Sequence, residues 1–256
     1  MLSQNEVKSI LLDKLQKSTL MEVVKTEDKI HPIQASILRS MLFKTQSRFS
    51  DLNKSGLGSD HFSFHIGKLL ELGLIEKKAN KNYVLTIRGK EFSNRFDTET
   101  VTIEKQAKIG VLIVGRRKKG RQTQFLVQQR LKQPYFGFFG FITGKIKWGE
   151  PVKEAAAREL KEEADLEGKI TLAGIKHKTD YSKEGSLLED KYFFVCKAEN
   201  THGIFKESFE GGKNVWLPRK EIMKLPNLFD GVEESLKMVN RKSLIFSEAG
   251  YYVSSY

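Results

Sequence analysis

The chain has 256 residues, of which 39% are hydrophobic, and its 44 lysines and arginines against 32 acidic residues give a formal net charge of +12. This length favours two domains, and the lack of both a run of about 20 apolar residues and a signal-peptide core argues against membrane and exported proteins. We therefore expect a soluble, cytoplasmic protein without a membrane partner, whose basic charge favours nucleic acids and nucleotides as partners.

The N-terminal part of the chain has the periodicity of helices. Apolar residues recur at helical spacing in residues 7–15 and again in 33–42. Within and after the second stretch, residues 37–42, 47–53 and 59–72 predict three helices. Two short strands are predicted around Asn80 and Asn82, in a segment rich in lysine. These elements predict a small, mainly helical domain over residues 1–97.

The order of these elements resembles winged helix-turn-helix domains. The resemblance lies in the third helix, the Gly-Leu-Ile that follows it, the basic hairpin, and Tyr-x-Leu-Thr-x-x-Gly at residues 83–89. It implies that double-stranded DNA is a partner and that residues 59–72 form a recognition helix. The DNA-binding residues it implies are His61, Ser63, His65, Lys68, Lys77, Lys78 and Lys81. Because the helix carries one lysine beside Phe62 and Phe64, a winged helix used for protein contacts or for a homodimer is the alternative.

A polar segment at residues 98–106 is predicted to be a linker, and a second domain follows over residues 107–256. Strand-like runs occur in this domain at 109–114, 125–128, 170–175, 192–196 and 215–217, and helical stretches occur at 151–164 and 230–239. Strands interrupted by two helices predict an α/β sandwich built on a mixed sheet. The single cysteine, Cys196, excludes an intrachain disulfide and is predicted to be a buried strand thiol.

Residues 144–166 hold the carboxylates of greatest chemical interest. Pro151 suits the first helical turn, and the alanines after it favour a helix whose Val152, Ala156 and Leu160 face the sheet. Three glutamates recur at i, i+3 and i+4 on another face, where like charges repel but can share a cation. Such hard oxygen ligands suit Mg²⁺ or Mn²⁺. The alternative is a solvated acidic face.

The same segment resembles the Nudix box. That motif is Gly, five residues, Glu, seven residues, then Arg-Glu-aliphatic-x-Glu-Glu-x-Gly-aliphatic. The matching positions are Gly144, Glu150, Arg158, Glu159, Leu160, Glu162, Glu163 and Leu166. Asp165 replaces the usual glycine, and we expect it to end the helix in a left-handed conformation. Thr143 replaces a glycine that often precedes Gly144. Neither change removes a ligand.

The resemblance implies a Nudix-type α/β/α sandwich, preceded here by the mainly helical winged-helix domain. It implies a Mg²⁺-dependent or Mn²⁺-dependent hydrolase that cleaves the pyrophosphate linkage of a nucleoside diphosphate linked to X. Glu159, Glu162 and Glu163 would be metal ligands, and Glu210 or its competitor Glu207 a further one. The catalytic set would be Glu163, Glu162, Arg158 and Glu150, with Arg158 orienting a carboxylate and Glu150 helping.

Two functional interpretations stay open. In the first, the Nudix domain is a catalytically competent pyrophosphohydrolase. In the second, the chain is a transcriptional regulator that binds DNA through the winged helix and senses a nucleotide metabolite through the Nudix domain. The intact set of glutamates favours turnover, and loops outside the box select X.

Overall fold

The computed structural model describes residues 30–53, 56–96, 105–253 and 256. The chain divides into two compact units, Met1–Lys105 and Gln106–Tyr256. The helix predicted at residues 7–15 and most of the segment predicted as a linker lie outside the described residues. No helix in the described ranges is both long enough and apolar enough to cross a membrane.

The first unit is mainly helical. Its core is built from side chains at helical spacing, including the fully buried Leu38, Phe62 and Leu69. The two short strands pair antiparallel and enclose the turn at Asn80, so they lie on either side of the position where they were predicted. The described elements are α1 (Pro32–Leu42), α2 (Phe49–Leu52), α3 (Ser59–Glu71), β1 (Ile75–Lys77), β2 (Tyr83–Leu85) and α4 (Ile87–Ser93).

The second unit contains every strand and helix predicted for it. Each strand is longer than its apolar run, because the runs mark only the buried stretches. The elements are β3 (Lys108–Lys119), β4 (Gln122–Arg130), β5 (Phe139–Gly140), β6 (Ile142–Lys145), α5 (Val152–Ala164), β7 (Leu166–Tyr181), β8 (Leu187–Gly203), β9 (Ser208–Phe209), β10 (Gly212–Pro218), α6 (Arg219–Ile222), α7 (Val232–Val239) and β11 (Ile245–Tyr252).

A mixed sheet separates two helical layers. The strand order is β11-β7-β8-β3-β4-β10-β9, and β5 and β6 pair with β4 and β3. β3 runs parallel to β8, and β11 runs parallel to β7. Alternate residues of each strand serve opposite layers: Ile113 packs with Leu160 of α5, whereas the adjacent Val114 packs with Leu236 of α7. The predicted α/β/α sandwich is therefore confirmed, and Cys196 is a buried, free thiol within it.

Helix α5 begins and ends as its sequence predicts. Pro151 is the residue before its first turn, and Asp165 ends it in the left-handed conformation at φ 54°. The Asp165 carboxylate also pairs with Lys161 one turn earlier, at 2.6 Å. In the loop that leads into the helix, Trp148 is 95% exposed, while the second tryptophan, Trp216, is buried in the sheet.

Candidate active site

Gly144 on β6 leaves the space that Glu159 of α5 occupies. A β-carbon at Gly144 would lie 1.8 Å from Glu159 Cδ and 2.1 Å from its Oε1, so any other residue would force the Glu159 side chain to move. Glycine at this position lets the carboxylate lie directly against the backbone. The first residue of the box thereby fixes where the helix can place its first glutamate.

Arg158 gathers the carboxylates around that contact. Its Nε and Nη2 donate to the two oxygens of Glu150 at 2.7 and 2.9 Å, in a bidentate pair. Its Nη1 donates to Glu159 at 2.7 Å and lies 3.2 Å from Glu162 Oε2, while Nη2 also reaches the carbonyl of Lys145 at 3.0 Å. The guanidinium therefore orients three carboxylates and offsets part of their mutual repulsion.

These contacts shift the pKa values of the pair. The hydrogen bonds from Arg158, and then the backbone N–H of Lys147, lower the pKa of Glu150 to about 2. The hydrogen bond to Glu150 in turn raises the pKa of Arg158. Both groups are therefore charged throughout the neutral range, as the predicted positioning roles require.

Glu163 lies in a different environment from Glu150. Burial raises its pKa, and the charge of Glu159 acts in the same direction. Its Oε2 accepts from Gln128 Nε2 at 2.8 Å, and its backbone carbonyl accepts from Asn214 Nδ2 at 2.7 Å. A half-buried carboxylate beside a second carboxylate is the arrangement that a divalent cation relieves, so the donor set fits a hard metal ion.

Gln128 and Asn214 were not predicted from the sequence. Gln128 lies on β4 and Asn214 on β10. The Nε2 of Gln128 donates a hydrogen bond to the Oδ1 of Asn214 at 3.2 Å. The available signal was an amide directly after or before an apolar run, in Phe-Leu-Val-Gln and Asn-Val-Trp. That signal is weak, because many strand ends carry amides.

Glu159 and Glu163 line one end of a cavity of about 480 Å³ that lies wholly within the second unit. Aromatic side chains form part of its wall, including Tyr135, Phe141 and Phe193. Arg130 also lines it, and with Lys132 its charge opposes the rise in the pKa of Glu163. Glu159 and Glu163 therefore face a space large enough for a ligand of nucleotide size.

The remaining predicted ligands lie further out. The Glu162 side chain is 55% exposed. Glu207 and Glu210 are both exposed, beside and within the β9–β10 hairpin, and neither lines the cavity. Among the described residues, no group of three or more His, Cys, Asp or Glu side chains is arranged to hold a metal ion. The choice between Glu210 and Glu207 stays a prediction.

In the first unit, the residues predicted to bind DNA are divided between surface and core. His61 and Ser63 are exposed on α3, and the half-buried Lys68 pairs with Glu71 at 2.7 Å. His65 is only 3% exposed, so its predicted role in a DNA groove is wrong. Its place between Phe62 and Leu69 at helical spacing turns it toward the core, and burial, followed by the charges of His31 and His61, lowers its pKa.

The hairpin of the first unit carries its three lysines on the surface. Lys77, Lys78 and Lys81 are all exposed. Lys78 pairs with Glu76 at 2.6 Å, and the Lys77 ammonium lies 5.6 Å from the ring centroid of Tyr83. The hairpin therefore presents a basic edge that is neutralised only in part.

Comparison with known proteins gives the second unit a family. The chain is similar to the NUDIX domain of Shewanella oneidensis NrtR complexed with ADP ribose, at 16% identity and a TM-score of 0.47 over 58% of this chain and 94% of that one. It is also similar to the MutT protein from Bacillus halodurans, at 21% identity and a TM-score of 0.46 over 58% and 93% of the two chains. Shewanella oneidensis NrtR complexed with a 27mer DNA matches at 16% identity, with a TM-score of 0.39 over 51% and 59%. A search of curated proteins found no match. The sequence model of the NUDIX domain matches residues 105–240, just over half of the chain, so the chain belongs to the NUDIX family.

Proposed function

We propose that the chain is a Mg²⁺-dependent or Mn²⁺-dependent hydrolase that cleaves the diphosphate linkage of a nucleoside diphosphate linked to X. The observation that supports this most directly is the contact of Glu159 with Gly144, which brings that carboxylate to the same end of the cavity as Glu163. Two carboxylates at one end of an aromatic-walled space suit a ligand with a metal-binding diphosphate and an organic group.

In this proposal the metal would be held by Glu159, Glu162 and Glu163, with Glu210 as a further ligand. When bound, the metal would lower the pKa of a water molecule and balance charge on the phosphate oxygens. Hard oxygen donors suit Mg²⁺ and Mn²⁺ and leave positions for water and substrate phosphate.

The other groups of the site hold this set in place. Arg158 ties Glu159 and Glu162 to Glu150, so the carboxylates do not depend on the cation alone for their orientation. Gln128 donates to one oxygen of Glu163 and leaves the other available as a proton acceptor. Arg130 and Lys132 supply positive charge near Glu163, where diphosphate oxygens would approach.

The test is the Glu163→Gln variant of the full chain. It keeps the size of the side chain and the contact with Gln128 but removes the charge, so we expect Mg²⁺-dependent release of monophosphate to fall by about 10²–10⁴-fold. A panel of nucleoside diphosphate sugars, dinucleoside polyphosphates and nucleoside triphosphates, assayed with Mg²⁺ and with Mn²⁺, gives the measurement. Glu154→Gln, exposed on the same helix, is the matched control. Unchanged turnover in Glu163→Gln would refute the proposal.

We propose a second role, DNA binding, for the first unit. The observation that favours it is the exposed basic edge of the hairpin, beside a helix that presents His61. In this interpretation the unit is a winged helix-turn-helix domain and the NUDIX domain senses a nucleotide metabolite. Salt-dependent retention of double-stranded DNA by the full chain tests it.

The rival use of the same unit is protein contact or a homodimer. Phe64, which is 58% exposed on α3, is the first candidate for such a contact.

A further inference from the structure

Three lysines on β3, β7 and β8 line another part of the same cavity. Lys178 on β7 is the register partner of Lys191 on β8, and Lys191 is in turn the partner of Lys108 on β3. All three line the cavity, and we call them the lysine row. Their side chains run from 55% exposed at Lys108 through 23% at Lys191 to 9% at Lys178. Like charges placed directly opposite each other across strands are destabilising unless something between them offsets the repulsion.

Two carboxylates accompany the row, and their oxygens are already engaged. Asp180 accepts from the Lys178 ammonium with one oxygen and from the hydroxyl of Tyr135 with the other, at 2.8 Å. Glu189 accepts from the hydroxyl of Tyr256 at 2.9 Å and from Lys108 at 2.7 Å. Asp180 and Glu189 therefore present no unengaged carboxylate oxygen to a ligand.

The ammonium groups of the lysine row, in contrast, have more N–H donors than the described residues have acceptors for them. The Lys191 ammonium has three N–H groups, and its one ion-pair partner among the described residues is Glu189, whose Oε2 lies 3.4 Å away. Lys178 has three N–H groups and, within the described part of the chain, one hydrogen-bond partner. A ligand group bound at the lysine row must therefore accept hydrogen bonds.

The charge of the lysine row decides which kind of hydrogen-bond acceptor suits it best. The three ammonium groups of the row pair with two carboxylates, Asp180 and Glu189, so the row and its ion-pair partners carry one excess positive charge. Burial lowers the pKa of Lys191, and the charges of Glu189 and Asp180 oppose this shift without cancelling it. A phosphate or carboxylate would fill the open hydrogen bonds and balance that charge, whereas a neutral carbonyl would do only the first.

We propose that the lysine row binds a second anionic group of the substrate, a phosphate or a carboxylate that is separate from the diphosphate held at α5. The substrate class is then a diphosphate compound with negative charge in both parts of the cavity, with its organic part between aromatic walls such as Tyr135 and Phe193. That the ligand is a diphosphate rests on the proposed function. Binding of an anion by the lysine row does not require turnover.

Two pairs of compounds test the proposal. Uridine diphosphate glucuronate and uridine diphosphate glucose differ by a carboxylate, and coenzyme A and dephospho-coenzyme A differ by a phosphate. Binding to the full chain is measured by calorimetry with Mg²⁺ in the Glu163→Gln background, which stops hydrolysis. We expect the more anionic member of at least one pair to bind about tenfold tighter or more, as for a charged hydrogen bond. The pair that responds identifies the group as carboxylate or phosphate, and equal binding within both pairs overturns the proposal.

Variants of Lys191 locate the effect. Lys191→Met should reduce the preference to less than about threefold without weakening the less anionic member, because it removes the charge and keeps the apolar stem. Lys191→Arg should retain it. Lys220→Met, at an exposed lysine of α6, is the matched control. A preference that survives in Lys191→Met overturns the proposal. If thermal unfolding shows that this variant is not folded, Lys178→Met takes its place under the same criterion.

The two proposals fail in different ways. A preference for the anionic member without monophosphate release from the unsubstituted chain supports the anion site and refutes the hydrolase. Hydrolysis without any preference supports the hydrolase and refutes the anion site.

Discussion

Among single residues, Gly144 and Arg158 decide the geometry of the carboxylates. Gly144 matters because it has no side chain: Glu159 occupies the space that a side chain would take. Arg158 acts through directed bonds, since one planar guanidinium reaches Glu150, Glu159 and Glu162. The spacing of the box thus encodes a contact between a strand and a helix as well as a set of ligands.

Gly144→Ala tests the contribution of the glycine. The added methyl group must displace the Glu159 carboxylate, so we expect a fall of about tenfold or more in metal-dependent turnover and a loss of about 1–3 kcal/mol of stability from overpacking. Steady-state kinetics and denaturant unfolding measure the two effects. Gly67→Ala is the control, because a β-carbon there meets nothing within 4 Å and a helical alanine is favourable. Wild-type turnover in Gly144→Ala would contradict the importance assigned to this contact.

The box residues were predictable and their supporting residues were not. Fixed spacing identifies Glu150, Arg158 and the three glutamates of α5 directly. Gln128 and Asn214 become neighbours of Glu163 only when β4 and β10 pair, which depends on contacts far apart in the chain. Local sequence patterns contain no information on such pairings.

Among the helices and strands, β7 differs most from its pattern. Its charged residues Lys176, Lys178 and Asp180 alternate along one face, which by periodicity alone indicates a solvent-exposed face. The structure buries all three. The apolar run at 170–175 therefore predicts only part of this strand. β11 was missed because every second residue is exposed and its apolar run is short.

His177 links three neighbouring strands. From β7 its Nδ1 lies 2.6 Å from Glu248 of β11, and its Nε2 lies 2.8 Å from Asp190 of β8. Its ring stacks on Tyr192 with centroids 4.1 Å apart. Contact with Glu248, and then with Asp190, raises the pKa of His177 above its usual 6.5.

This arrangement predicts a dependence of stability on pH. A histidine with a raised folded-state pKa contributes its full stabilisation below about pH 6.5 and loses it as the pH rises through the folded value. We expect the unfolding midpoint of the wild type to exceed that of His177→Gln by up to about 2–4 °C at pH 6, and by less at pH 9. His202→Gln is the control, since that side chain is 74% exposed. A difference that is constant with pH would exclude this origin.

For the chain taken together, the described residues form separate hydrophobic cores in the two units. One core lies in the helical unit, and the other two lie on opposite faces of the sheet. Apolar periodicity reveals the buried faces of both helices and strands. It was not enough to predict His65, whose polar side chain occupies a core position.

The proposed DNA role can be tested quantitatively through the lysines of the hairpin. Neutralising Lys77 and Lys78 together as glutamines should weaken binding of double-stranded DNA fragments to the full chain. Each lost phosphate contact should reduce the slope of log K against log salt by about 0.9. The matched control neutralises the exposed Lys213 and Lys220 of the second unit. If the two double variants bind alike, or if no fragment binds at low salt, the DNA role is refuted.

The two tryptophans lie in opposite surroundings, and this gives the protein a built-in optical probe. Trp148, at 95% exposure two residues before Glu150, should emit at long wavelength and be quenched by iodide. Trp216, buried and covered by the Arg117 guanidinium at 4.4 Å, should emit at shorter wavelength and resist quenching. A ligand or metal that orders the loop before α5 would shield the first fluorophore and leave the second unchanged. Occupancy of the site can therefore be followed without a label.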